Sequence, residues 1–342
     1  MTERLTGIAA RLPRQVILHV TTGYPESGSC YHLSMLDPTP VRPSLFNPVH
    51  WPVWFAAAFM WLVARLPISW IFAVGRGVGW LGYHLAGSRR HITQVNISKC
   101  FPQLDTNQQR KLVRDNFRHT GIGAVEIALP WLNPTRDLSK HYRIEGIEHL
   151  MAAQALGRGV VLVGAHYTTI DITSQFLSTL GFVDVMYRRN KNPVWEWLQT
   201  RGRRHHFEGV VERGDMRQII KRLKSGRAMW YAADQDYGRR HSVFAPFFGI
   251  ATATITVSSR LAERNDSPVL MLHQLRDIRS RTWTLRFSPV LRNFAQGDLE
   301  SDATALNQML ESSLRQAPEQ YLWMHRRFKT RPQGEDSFYR KG

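Results

Sequence analysis

Cysteine is almost missing from this chain: Cys30 and Cys100 are the two in 342 residues, and they do not form a metal-type pair. A disulfide framework and a thiolate zinc site are therefore excluded, and a reducing compartment fits best. Acidic residues are also scarce, 27 against 45 lysines and arginines, for a formal net charge of +18. Such an imbalance calls for an anionic partner: nucleic acid, an anionic membrane surface, a phosphorylated lipid or an acidic carrier protein. There is no internal repeat and no glycine-rich phosphate loop. The first residues carry Arg4, Arg11 and Arg14 but no sustained apolar run ending in a small-residue cleavage site, which excludes a signal peptide.

Residues 1–49 read as a flexible leader, rich in Pro, Ser, Gly and Thr from 21 onward, with Met35 as a candidate alternative start. Residues 50–75 read as a membrane anchor. The run WPVWFAAAFMWLVA, residues 51–64, has no polar side chain and so no solvent face. As a helix it reaches only ~21 Å, short of a ~30 Å hydrocarbon core. Continuing to Val74 supplies the length, although Arg65 and Pro67 interrupt it. The tryptophans at 51, 54, 61, 70 and 80 suit an interface. A kinked single span is expected, with an in-plane helix as the alternative and a buried core helix as the plainer reading. Arg89, Arg90 and Lys99 beyond it suit a cytoplasmic flank.

From residue 76 to 342 the pattern is α/β. Asp105 and Gln108 stand at capping positions before a helix over 105–128. Apolar runs at 160–164, 182–187, 228–233, 268–273 and 282–288 read as strands. Between them, Asn192 and Pro193 open one helix, Asp215 opens another that Gly226 closes, and 302–316 carries a third apolar stripe. The expected architecture is a layered αβα fold with a mixed, partly parallel sheet and its reactive groups at strand ends.

The most telling stretch is GVVLVGAHYTTIDITSQF, residues 159–176, in which an apolar strand delivers His166 with Asp171 five positions on. Residues five apart lie about 140° around a helix, so the two cannot share a helical face. His166 is placed in the strand-to-helix turn and Asp171 in the first turn of a helix, capped at Thr168 or Thr169. Asp171 then accepts a hydrogen bond from one ring nitrogen and leaves the other to take a proton. The plainer alternative is a core histidine bonded to a neighbour. Arg188 and Arg189 at a strand end suit a phosphate clamp, whereas Arg201, Arg203 and Arg204 read individually as a solvated basic face. Asp234 and Asp236 follow another apolar strand, where they bind a metal, orient arginines or cap a turn at Gly238, with metal ranked last. Phe244–Phe248 floors a lipid groove or finishes the core. The aromatic, basic segment 318–332 suits an interfacial helix over phospholipid better than single-stranded nucleic acid.

In order along the chain, VNISKCFP (95–102), LVGAHYTTIDI (162–172), YRRNKNPVWEWLQTRGR (187–203), DQDYGRRHSVFAPFF (234–248) and EQYLWMHRRFKTRP (319–332) carry a resemblance. The chain resembles the late acyltransferases of lipid A biosynthesis, nearest the lauroyl type that acylates Kdo-lipid IVA. The resemblance implies an inner-membrane protein facing the cytoplasm, an acyl-acyl carrier protein as co-substrate, a phosphorylated lipid A precursor as acceptor, and no metal, other cofactor or nucleic acid. It implies an H-x-x-x-x-[DE] dyad, occupied by His166 and Asp171, with Arg188 and Asp234 lining the site. Asn192, Arg203, Asp236 and Arg326 complete the candidate substrate-binding set. Asp171 stands where the lauroyl type commonly has Glu, and Arg189 where it has proline. A glycerolipid acyltransferase acting on lysophosphatidate, or a non-enzymatic membrane or nucleic-acid binding protein, are the rival readings.

Overall fold

The computed structural model describes residues 42–339, so most of the expected leader lies outside the described residues. The apolar segment after it forms two helices, α1 (Trp51–Val63) and α2 (Ile68–Leu85). The expected kinked single span is not confirmed: among the described residues no helix is long and apolar enough to cross a membrane. The break at Ala64–Pro67 has a clear cause. Pro67 stands as the N-cap of α2, and carbonyls of the linker between the two helices are taken by protein donors. Arg136 Nη1 donates to Ala64 O at 2.9 Å and to Leu66 O at 2.7 Å, and Asn133 Nδ2 donates to Ala64 O at 3.0 Å.

Helix α2 then runs into the body of the protein, with α3 (Gly87–Cys100) and α4 (Thr106–Glu126) following. The expected capping box opens α4: Asp105 Oδ1 accepts from the amides of Asn107 and Gln108, and Gln108 Oε1 accepts from the amide of Asp105. Gly75 and Gly79 of α2 let its backbone meet α4 at Gly121, where a Cβ would lie 2.2 Å from Gly79 N and 2.4 Å from Gly75 O. Backbone atoms cannot give way as side-chain ends do. Gly121→Val is therefore expected to destabilise the fold by at least the ~1–3 kcal/mol typical of overpacking, read as a lowered midpoint in chemical unfolding. An unchanged midpoint would refute the close crossing.

The remaining helices and strands are α5 (Ala128–Leu132), β1 (Tyr142–Glu145), α6 (Ile147–Ala155), β2 (Val160–Gly164), α7 (Thr173–Leu177), β3 (Val183–Tyr187), α8 (Pro193–His206), β4 (Val210–Glu212), α9 (Met216–Lys224), β5 (Ala228–Ala232), β6 (Ser242–Phe247), β7 (Ile250–Ile255), α10 (Val257–Asn265), β8 (Val269–Asp277), β9 (Thr282–Phe287) and α11 (Leu299–Gln316). Seven strands form one sheet in the order β1-β9-β8-β2-β5-β3-β4. The five from β8 to β4 run parallel, β9 is antiparallel to β8, and β1 is parallel to β9. Strands β6 and β7 form a separate hairpin.

All five residues of β2 are buried, as a strand covered on both faces requires. Val161 and Val163 face a core with Leu223 of α9, Leu261 of α10 and Leu310 of α11. Val160 and Leu162 face the opposite core with Phe72 of α2, Ile122 of α4 and Phe176 of α7. The period of two thus feeds two cores from one strand and gives the expected α/β layering with a mostly parallel sheet. The run Phe244–Phe248 serves the core, since Phe247 is fully buried beside Phe328.

The C-terminal segment departs from expectation. In place of an interfacial helix there is a single 3-10 turn, Pro318–Gln320, followed by a run of short turns with Tyr321, Trp323, Arg327 and Phe328 buried. Its carbonyls are held from the helices: Asn116 Nδ2 donates to Glu319 O and Tyr321 O, and Asn96 Nδ2 donates to Trp323 O and His325 O. Tyr321 forms a β-bridge with Tyr167, which places this segment against the turn that carries His166.

Candidate active site

Strand register builds the centre of the site. In the parallel pair β2–β5, Gly164 is opposite Ala232, and two residues further along each chain come His166 and Asp234. Neighbouring parallel strands of equal length end side by side, so these two side chains meet at the carboxyl edge of the sheet. His166 Nδ1 is 2.7 Å from Asp234 Oδ1, and the backbone amide of His166 donates to the same oxygen at 3.0 Å. The Asp234 side chain is 1% exposed and that of His166 24% exposed, so the carboxylate is enclosed while an edge of the imidazole remains reachable.

This corrects the expected pairing of His166 with Asp171. Asp171 Oδ1 accepts from Arg203 Nη2 at 2.9 Å, with both side chains mostly buried. Gln199, with its amide turned so that the oxygen faces the guanidinium, accepts from Arg203 Nη1 at 2.6 Å. Asp171 also precedes the helix, because α7 begins only at Thr173 and its N-cap is Ile172. Neither Thr168 nor Thr169 caps it: the Thr169 hydroxyl donates to Gln274 O, and Thr168 sits in the bridge to the C-terminal segment. Asp171 and Arg203 line a small cavity walled by Ile170, Leu177, Val185, Phe207 and Trp230. Arg203 is accordingly a largely enclosed partner of Asp171, not part of a solvated basic face.

The electrostatics follow from this geometry. Burial opposes protonation of His166, but the charge and hydrogen bond of Asp234, with Asp171 adding to them, outweigh it and raise the pKa above the ordinary value. Burial likewise pushes the Asp234 carboxyl up, yet His166, His325 and the Tyr321 hydroxyl outweigh it and hold the group well below the usual carboxylate range. Next to the pair stands His325, its ring 6.2 Å from that of His166. Burial drives its pKa down to about 4, so His325 is neutral. An ionised Asp234 accepts from an Nδ1–H on His166, a tautomer assigned from the hydrogen-bond network, and Nε2 is left as the basic nitrogen.

A base acts only when deprotonated. If His166 is that base, kcat/KM is expected to rise with pH through a midpoint above the ordinary ~6.5 of histidine. Stability follows the opposite sense. Because the folded pKa is raised, the contribution of His166 is fully present below ~6.5 and is lost as pH rises through the raised value. A rate profile whose acidic limb lies at or below the ordinary value would contradict this electrostatic account.

The other candidates are scattered. Arg188 and Arg189 are exposed just beyond the end of β3. The Asn192 carboxamide oxygen caps α8, accepting from Val194 and Trp195 amides at 3.0 Å each. Asp236 holds the chain instead of a ligand, accepting from Gly238 N, Thr330 N and the Thr330 hydroxyl. Arg326 is exposed, 5.8 Å from the Tyr339 ring centroid. Tyr321, His325, Glu126 and Arg276 were not singled out in the sequence, and all four sit around the His166 turn.

Fold and site together define the class: an α/β enzyme with an imidazole–carboxylate pair presented at the carboxyl edge of its sheet. The family model for bacterial lipid A biosynthesis acyltransferases matches residues 39–330, and the chain belongs to that family. It is 35% identical over 297 residues to the lipid A biosynthesis lauroyltransferase of Escherichia coli K12, covering 86% of this chain and 97% of that one. To the lipid A biosynthesis palmitoleoyltransferase of the same organism it is 33% identical over 294 residues, covering 86% and 96%. To the corresponding myristoyltransferase it is 24% identical over 300 residues, covering 87% and 93%. These relatives are named for different acyl chains, so family membership leaves the chain length open.

Proposed function

We propose that this enzyme transfers a fatty acyl chain, of lauroyl or similar length, from acyl-acyl carrier protein to the 3-hydroxyl of an acyl chain on Kdo-lipid IVA, forming an acyloxyacyl group. The observation that carries the reading is the 2.7 Å contact of a reachable His166 with an enclosed Asp234. Nε2 of His166 removes the proton from the acceptor hydroxyl while its oxygen attacks the thioester carbonyl carbon. The tetrahedral intermediate then collapses, the carbon–sulfur bond breaks, and the imidazolium returns the proton to the departing thiolate. No acyl-enzyme is needed, and Cys100 does not suit a nucleophile, since it is enclosed and burial pushes its thiol up.

In this reading Asp234 fixes the tautomer, while Asp171 adds negative charge beside the imidazolium and is itself steadied by Arg203. Arg188, exposed at the same sheet edge, takes a phosphate of the acceptor, and the +18 charge favours both anionic partners. The exposed Trp51, Phe55, Phe59, Leu62, Trp70 and Trp80 of α1 and α2 support seating on a membrane surface, taken here as the cytoplasmic face of the inner membrane. The test is incubation of the purified protein with one radiolabelled acyl-acyl carrier protein and either Kdo-lipid IVA or lysophosphatidate. Label is expected in the former; label in lysophosphatidate alone would replace this function with glycerolipid acylation.

A further inference from the structure

Behind the catalytic turn lies an ion pair that the chemistry above does not use. Arg276, near the end of β8, and Glu126, the last residue of α4, are 0% and 1% exposed. Arg276 Nε is 2.9 Å from Glu126 Oε2, and Arg276 Nη2 is 2.6 Å from Glu126 Oε1. Trp283 Nε1 donates to Glu126 Oε2 at 3.2 Å, and Arg276 Nη1 donates to His119 O at 3.1 Å. The pair is thus fully enclosed, bidentate and fixed from both ends.

Its remaining donor is the informative one. Arg276 Nη2 also donates to Thr168 O at 3.2 Å, two residues beyond His166. The amide of Thr168 donates to Gln320 O at 2.8 Å, and the Gln320 side chain grips Arg276 itself, accepting from its amide at 2.7 Å and donating to its carbonyl at 2.9 Å. Leu322 N closes the set by donating to His166 O at 2.9 Å. Across the turn, Gly123 approaches so closely that a Cβ there would lie 2.0 Å from Thr168 O. Residues 165–172 belong to no helix or strand longer than one bridge. Their position is therefore set from outside, and Arg276 is the side chain that joins α4, β8 and the C-terminal segment to Thr168.

Stability alone is a poor reason for such a pair. Desolvation consumes much of the Coulomb gain, and well-packed apolar replacements of buried ion pairs are often neutral or stabilising. What apolar replacements cannot do is hold the Thr168 carbonyl. We propose that Glu126 and Arg276, with Gln320, are positioning residues that fix the turn bearing His166 and Asp171, so that the imidazole meets Asp234 and the acceptor in reactive alignment. This rests on the acyl transfer proposed above. Misplacement of about 1 Å costs on the order of 10²-fold in rate, so the effect belongs in kcat and not in the acceptor KM.

The test compares the wild type with Arg276→Lys and with the double variant Glu126→Leu/Arg276→Met. Lysine keeps the charge opposite Glu126 but has no planar fork to span the carboxylate and two carbonyls. Both variants are expected to fold, to keep the acceptor KM, and to lose kcat at least tenfold. Histidine NMR with 13Cε1 label, with His166 assigned by its loss in His166→Ala, is expected to show its titration moving down as contact with Asp234 loosens. This second readout needs no substrate, so it stands even if the donor or acceptor has been misassigned. A folded variant with kcat within twofold of wild type and an unmoved His166 titration overturns the proposal, as does loss of fold in both variants, which would assign the pair to stability alone.

Discussion

Asp234→Asn is expected to lower kcat/KM for acyl transfer by about 10²–10⁴-fold, the range of general-base contributions, and to do so more severely than Asp171→Asn. An asparagine cannot serve as the anionic acceptor of both the His166 amide and its Nδ1–H. Presenting its NH2 group to Nδ1 would instead move the ring proton to Nε2 and occupy the nitrogen that has to act as base. It also removes the charge that raises the pKa of His166, so the acidic limb of the surviving activity is expected to move to lower pH. His166→Ala sets the floor of the series. The order of the two aspartates is the decisive comparison, made with equal acceptor concentrations and with unfolding midpoints measured in parallel. If Asp171→Asn proves the more damaging and Asp234→Asn stays within a few-fold of wild type, the imidazole is not oriented by Asp234 and the assignment of the base fails.

His166 was legible because an apolar run ending in histidine places the ring at a strand terminus, and the structure puts it there. The sequence places its partner five residues downstream on the expectation that a helix begins at once. In fact α7 starts only at Thr173, and the carboxylate that the ring touches is 68 positions away, two residues past the end of the neighbouring strand. The usable signal was the equal length of VVLVGAH and AMWYAAD, two apolar runs each ending in a polar residue. It becomes evidence only once β2 and β5 are known to be adjacent, and strand order depends on packing. The major strands and the caps at Asp105, Asn192 and Asp215 were readable because alternation and capping are local. Strands β1 and β4 are too short to read, at four and three residues, and the six-residue strands β6 and β7 of the separate hairpin also lie outside the expected strand runs. The run 318–332 misled for a physical reason: its arginines look solvent-directed, yet Arg327 is 1% exposed, with Nη1 donating to Ala253 O and Nη2 within hydrogen-bond reach of Thr254 Oγ1 and Asn307 Oδ1.

Arg203→Ala is expected to cost up to about 3–5 kcal/mol of stability, the effect of removing one partner from a fully buried pair, this pair being largely but not fully enclosed. With side chains 12% and 15% exposed, Arg203 and Asp171 are little screened by solvent, so the loss should appear at ordinary ionic strength. The catalytic consequence has a sign of its own. Asp171 raises the pKa of His166 and Arg203 lowers it. Removing the arginine therefore shifts the acidic limb of kcat/KM to higher pH, and Asp171→Asn shifts it to lower pH. The double variant Asp171→Leu/Arg203→Met fills the same apolar-walled space without leaving an uncompensated charge, and its loss of stability should fall well short of the summed single losses from Asp171→Leu and Arg203→Met. Chemical unfolding of the four proteins closes that cycle. Additivity within ~0.5 kcal/mol would mean that the two side chains act independently, and that their 2.9 Å contact does not hold Asp171 in place.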